Sequence, residues 1–135
     1  MKVKLADIIE AIEFTDDDIE YFLDQETGEI VMISEMTMDY EERKEACDTL
    51  DEHGFFRLPT QEDLRDYDIM EAFVDTLSGA AQERLAIAIS GRGAFRRFKD
   101  EVRRLGLEAQ WYAWHDDAYR RKAIEWCEEN GIEYE

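Results

Sequence analysis

The residues able to do chemistry are few and scattered. His53 lies in Asp51-Glu52-His53-Gly54, at an expected helix end, where a cation also suits the helix dipole. His115 precedes Asp116-Asp117. A histidine beside carboxylates can act as a base, yet adjacent residues of a helix do not face one another. Asp16-Asp17-Asp18 with Glu20 offers oxygen ligands, but the stretch lacks the glycine of an EF-hand loop and Ile19 interrupts it, so it reads as a solvated turn. Zinc needs a Cys/His cluster, and none occurs. No G-x-S-x-G elbow is present, and Ser34, Ser78 and Ser90 have no adjacent histidine.

The most informative stretch is Ser90-Gly91-Arg92-Gly93 together with the basic run from Ala94 to Leu105. The loop is neither a P-loop, which needs G-x-x-x-x-G-K-[ST], nor a dinucleotide fingerprint, because it comes after a helix rather than a strand. It does put glycines just before a helix, where free N–H groups and the positive dipole end can hold an anion. Projected at helical pitch, Phe95, Phe98, Val102 and Leu105 share one face. Arg96, Lys99 and Arg103 lie on an adjacent line, which reaches Arg92 if the helix starts early; Arg97 and Arg104 lie further round. The segment 92–104 is thus expected to be an amphipathic helix with a buried apolar side and a cationic outer side. Its cations can dock on acids of the same chain or of a second copy, or can hold an anionic partner.

Charge sets that segment apart. The chain has 135 residues and a net charge of −19, from 16 Lys and Arg against 35 Asp and Glu. Residues 1–80 hold 24 acids and 6 bases, whereas residues 81–135 hold 11 acids and 10 bases. A surface so acidic repels bare nucleic acid and anionic membrane. No apolar run reaches the length of a membrane span. The N-terminus carries acids within its apolar stretch and lacks a small-residue cleavage site, so a signal peptide is not expected. Cys47 and Cys127 form no C-x-x-C pair and read as reduced, buried residues of a cytoplasmic protein.

The elements that must position these residues can be read from periodicity. Val3 to Phe14 reads as a helix on Leu5, Ile8, Ile9 and Ile12. Ile19 to Asp24 and Glu29 to Ser34 read as a hairpin whose tip needs Gly28, with Phe55 to Leu58 as a third short strand closed by Pro59. A helix near 39–52 ends at Gly54. Thr60 and Asp63 form a capping pair for a helix whose stripe runs Leu64, Tyr67, Met70, Phe73, Val74, Leu77. Helices over Ala80 to Ser90 and Ala94 to Leu105 come next, then a last one within Glu108 to Asn130 that starts at Glu108 or at Asp116. The expected architecture is one α+β domain over 1–135: a small antiparallel sheet in the N-terminal half, packed with a helical C-terminal half.

At Gly91-Arg92-Gly93-Ala94-Phe95-Arg96-Arg97-Phe98-Lys99-Asp100 the sequence resembles the hallmark of the bacterial uncharacterised protein family 0158. Tyr21 to Ile30, Phe56-Arg57-Leu58-Pro59, the Met70 to Phe73 region, Trp111-Tyr112 through Glu125-Trp126, and Gly131-Ile132 extend the resemblance along nearly the whole chain. It implies a bacterial intracellular protein and supplies no catalytic residues or cofactor. The expectation is a non-enzymatic acidic binding or regulatory module. Arg92, Gly93, Arg96, Arg97, Lys99 and Arg103 would meet a protein or anionic partner, or a second copy of the chain. The alternatives are nucleotide or RNA-backbone binding at Gly91–Arg104, mimicry of nucleic acid by residues 1–80, and a carboxylate hydrolase whose acids gather in one pocket.

Overall fold

Leu5, Ile8 and Ile12 recur at helical spacing and are buried in α1 (Leu5–Phe14). The structure, a computed structural model, describes residues 2–135. The helix begins two residues later than the apolar pattern suggests. Lys2–Val3 is instead β1, paired in parallel with β5 (Glu133–Tyr134), which sequence reading missed. Strands this short carry no periodicity to read.

The hairpin forms as expected from β2 (Ile19–Asp24) and β3 (Ile30–Ser34), antiparallel with Ile19 opposite Ser34 and Leu23 opposite Ile30. Its tip is tied by Asp24, whose Oδ1 accepts the amides of Glu26 and Thr27 at 2.8 and 3.0 Å, while Gly28 takes φ +76°. β4 (Phe55–Arg57) pairs with the other edge of β2, giving the order β3-β2-β4, and Pro59 lies beyond its end. Asp39 caps α2 (Tyr40–His53) by accepting the Glu42 amide at 2.8 Å. Only Leu50 of this helix is fully buried.

From Thr60 the continuous apolar stripe predicts one helix, but the chain makes two: α3 (Gln61–Leu64) and α4 (Asp66–Asp75). Thr60 and Asp63 cap the first reciprocally, at 3.0 and 3.2 Å. Arg65, at φ +54°, breaks the helix, a left-handed conformation that non-glycine residues seldom adopt. Beyond it come α5 (Gly79–Ala88), α6 (Ala94–Arg104) and α7 (Glu108–Glu129), so the last helix starts at the earlier of the two expected positions. The fold is α+β, with the antiparallel sheet in the N-terminal half.

The chain divides into two compact units. One contains the residues up to Leu64 with Arg120–Glu135; the other is Arg65–Tyr119. The first carries 25 acids and 8 bases, net −17, and the second 10 acids and 8 bases, net −2. In the first, Trp126 donates its indole N–H to the Arg57 carbonyl at 3.0 Å and packs edge-on against Phe56. In the second, Phe73, Phe98 and Trp111 form an edge-to-face cluster with centroids 4.7 to 6.3 Å apart, and Trp114 donates to the Ile69 carbonyl at 3.1 Å. Cys127 is buried, whereas Cys47 is exposed on α2, contrary to expectation. Its helix buries too little to cover it.

Candidate functional site

α6 is fixed from its apolar side. Ala94, Phe98 and Val102, at i, i+4 and i+8, are buried, and Phe98 sits in the aromatic cluster of the Arg65–Tyr119 unit. Phe95, grouped with that face in the sequence projection, is half exposed instead. It lies where the apolar side meets the cationic side. The helix ends with the Leu107 amide on the Val102 carbonyl, 2.9 Å away.

The glycine loop before α6 turns carbonyls, rather than amides, toward Arg97. Gly91 and Gly93 both take positive φ, +76° and +74°, conformations that a Cβ disfavours. The turn they make points three carbonyls at one guanidinium. Arg97 donates Nε to the Ala88 carbonyl at 3.0 Å, Nη2 to Ser90 and Nη1 to Arg92. Ala88 is the last residue of α5, so Arg97 satisfies an orphaned carbonyl at a helix C-terminus, where a cation also suits the dipole. A Cβ on Gly93 would stand 3.0 Å from Arg97 Nη1. Arg97 therefore latches α6 to α5.

The remaining cations stand differently. Arg104 pairs with Glu101 at 3.2 Å on its own helix. Arg92, Arg96, Lys99 and Arg103 are all exposed and make no ion pair or side-chain hydrogen bond among the described residues. α6 starts at Ala94, so Arg92 belongs to the turn, and the helical line is Arg96, Lys99 and Arg103. On a different side of the helix, a groove of about 510 Å³ between α5 and α6 is lined by Ile87, Arg97, Asp100 and Arg104 among others, and by none of those four cations. Ile87 is 74% exposed and Phe95 50%. The cationic line is thus flanked by one uncovered apolar side chain, Phe95, while Ile87 belongs to the groove.

The two histidines are engaged in other ways. His53 Nδ1 lies 2.8 Å from Asp24 Oδ2 and Nε2 lies 3.3 Å from Glu26 Oε2. The Asp24 hydrogen bond, with the charges of Asp24, Glu26 and Glu52, raises the His53 pKa above its usual value. Burial pushes Asp24 up, but His53 and the Thr27 and Glu26 amides outweigh it and leave the carboxyl below the ordinary range. With a carboxylate on each ring nitrogen, His53 pins α2 to the hairpin tip. His115 Nε2 lies 3.6 Å from Asp66 Oδ1, and the Tyr119 hydroxyl donates to the same oxygen at 2.8 Å. The His115 contact foremost, with Tyr119 and the Lys99 charge, lowers the Asp66 pKa against the effect of burial.

The aspartate run is structural. Asp16 Oδ1 accepts the amides of Asp18 and Ile19, each at 2.8 Å. The Asp18 carboxylate accepts the Ser34 hydroxyl at 2.6 Å and the Glu35 and Met36 amides, closing the hairpin's far end. Among the described residues, no group of three or more His, Cys, Asp or Glu side chains is arranged to hold a metal, and no helix is long and apolar enough to cross a membrane. Two features escaped sequence reading: the Arg97 latch and the His53 clip. Both join residues through carbonyls or long-range contacts that spacing does not encode.

No curated protein and no solved structure matches the chain. The model of the uncharacterised protein family UPF0158 matches residues 1–135 in full, and the chain belongs to that family.

Proposed function

We propose that this chain is a binding module whose α6 surface, Arg92, Arg96, Lys99 and Arg103 with the half-exposed Phe95, receives the carboxylates of an acidic protein partner. The observation that carries this reading is that these four cations lack ion pairs in a chain with 35 acids. Exposed ion pairs each contribute only about 0.2–1 kcal/mol. The cations therefore steer and orient a partner, while Phe95 supplies apolar area for it to cover. The site geometry also argues against an acid–base role for His53, because both ring nitrogens already face carboxylates.

Binding of an RNA backbone is the weaker reading. The glycine loop turns the Ser90 and Arg92 carbonyls onto Arg97, so the one guanidinium beside the glycines is engaged by the fold rather than offered to a phosphate. Fluorescence anisotropy with a labelled glutamate-rich peptide and with a labelled RNA oligonucleotide tests the assignment. The expected result is peptide binding that weakens with salt and is lost in an Arg96→Glu/Arg103→Glu variant. Equal peptide binding by wild type and variant overturns the proposal; binding of the RNA alone transfers the site to the nucleic-acid reading.

A further inference from the structure

We infer that the acidic partner of α6 is a second copy of this chain, docked through its α2. The inference rests on the binding role proposed for α6. Helix α2 is an unpartnered face: its one fully buried residue is Leu50, and Glu41, Glu45, Asp48 and Glu52 are all exposed. At 3.6 residues per turn, these four acids form one stripe on the side opposite Leu50. A shallow hollow of about 440 Å³ runs along that stripe, bordered by Tyr40, Lys44 and Thr49; Lys44 pairs with Asp48 at 2.8 Å, an exposed contact that a docking cation displaces at little cost.

The two stripes match in spacing as well as in sign. Arg96, Lys99 and Arg103 stand at i, i+3 and i+7, and so do Glu45, Asp48 and Glu52. Read backwards, Asp48, Glu45 and Glu41 repeat the same intervals. Three ion pairs can therefore form over roughly 10 Å of helix with the two helices in either direction. Arg92 in the turn meets a fourth acid when Glu52 lies at its end. Each stripe is flanked by an exposed aromatic, Tyr40 at 69% on α2 and Phe95 at 50% on α6, so each edge has apolar surface to cover. Charge agrees at the larger scale. The unit that carries α2 is net −17 and the unit that carries α6 is net −2, so a contact between unlike units of two copies meets less repulsion than one between two acidic units. Such a contact is heterologous, made by two different surfaces.

Light scattering after gel filtration tests this with two charge reversals that leave each helix's buried side intact: Arg96→Glu/Arg103→Glu on α6 and Glu45→Lys/Glu52→Lys on α2. Wild type is expected to run as a dimer or larger at moderate salt and as a monomer in 1 M salt, where screening reaches about 3 Å. Each variant alone should be monomeric, with the dissociation constant weakened roughly tenfold or more. Mixed together, the two should form a dimer, because the first keeps α2 and the second keeps α6. The neutral pairs Arg96→Gln/Arg103→Gln and Glu45→Gln/Glu52→Gln repeat the test if a reversal fails to fold. A monomeric wild type, self-association of either variant at the wild-type level, or a mixture that stays monomeric overturns the inference. A monomeric wild type whose α6 still binds the glutamate-rich peptide overturns the second-copy assignment alone and leaves the α6 binding site standing.

Discussion

Replacing Arg97 by Ala should destabilise the chain by about 2 kcal/mol, although the side chain lies at the surface. The value comes from its three acceptors. The Nε bond to Ala88 is 3.0 Å long and partly buried, and a charge-assisted bond of that kind contributes about 1–1.5 kcal/mol. The bonds to Ser90 and Arg92 face solvent, which can replace them, and add about 0.5 kcal/mol each. Arg97→Lys isolates the geometry from the charge. An ammonium on a flexible stem reaches one carbonyl at a time, so about 1–1.5 kcal/mol should still be lost. Urea unfolding monitored by tryptophan fluorescence measures both variants, with Trp111 and Trp114 in the same unit as the latch. Amide hydrogen exchange over 90–97 should quicken in parallel. An Arg97→Lys protein as stable as wild type, with unchanged exchange, would refute the three-carbonyl latch.

Three further outcomes are expected on the same structural grounds. Gly93→Ala should cost about 1–2 kcal/mol, because φ is +74° and the new Cβ meets Arg97, whereas Gly91→Ala, with the same backbone strain but open space, should cost less; urea midpoints rank them. The His53–Asp24 pair makes stability depend on pH with a definite sign. The raised His53 pKa gives stabilisation that is complete below 6.5 and fades as pH climbs through the raised value, and the lowered Asp24 pKa gives stabilisation present above 3.8 and lost as pH falls through the lowered value. The Tm difference between wild type and His53→Gln should thus be largest between those limits and shrink on the alkaline side; a difference that grows with alkalinity contradicts the clip. Cys47 is exposed, while burial and Glu128 raise the Cys127 pKa, so a thiol reagent should titrate one cysteine in the native protein and two in denaturant.

The parts of the fold that sequence reading anticipated are those with strong local signals. The hairpin rests on β-branched and aromatic strands around a glycine tip. α6 rests on Phe98 and Val102 at helical spacing, opposite Arg96, Lys99 and Arg103. The misses have physical causes. Apolar periodicity runs unbroken from Leu64 to Leu77, so nothing marks Arg65 as a break; its left-handed backbone answers to packing rather than to local propensity. The β1–β5 pair joins residues more than a hundred positions apart through two residues each, too few to show a pattern. Phe95 shares an arc with Phe98 on a helical projection, but the buried arc is narrower than the apolar one. At the candidate site the same projection separated Arg97 from the line of Arg96 and Lys99. It did not reveal three carbonyls waiting for Arg97, because carbonyl direction depends on the positive φ of Gly91 and Gly93.

The division of labour on α6 can be measured without any ligand. Arginine modification by phenylglyoxal, timed and mapped by mass spectrometry on the folded monomer in 1 M salt, reads each guanidinium's freedom directly. Arg92, Arg96 and Arg103 should react well ahead of Arg97, whose donors are held by Ala88, Ser90 and Arg92 carbonyls. Arg97 reacting as fast as Arg96, or Arg96 and Arg103 protected in the isolated monomer, would contradict the account of one cation spent on the fold and its neighbours left open for a partner.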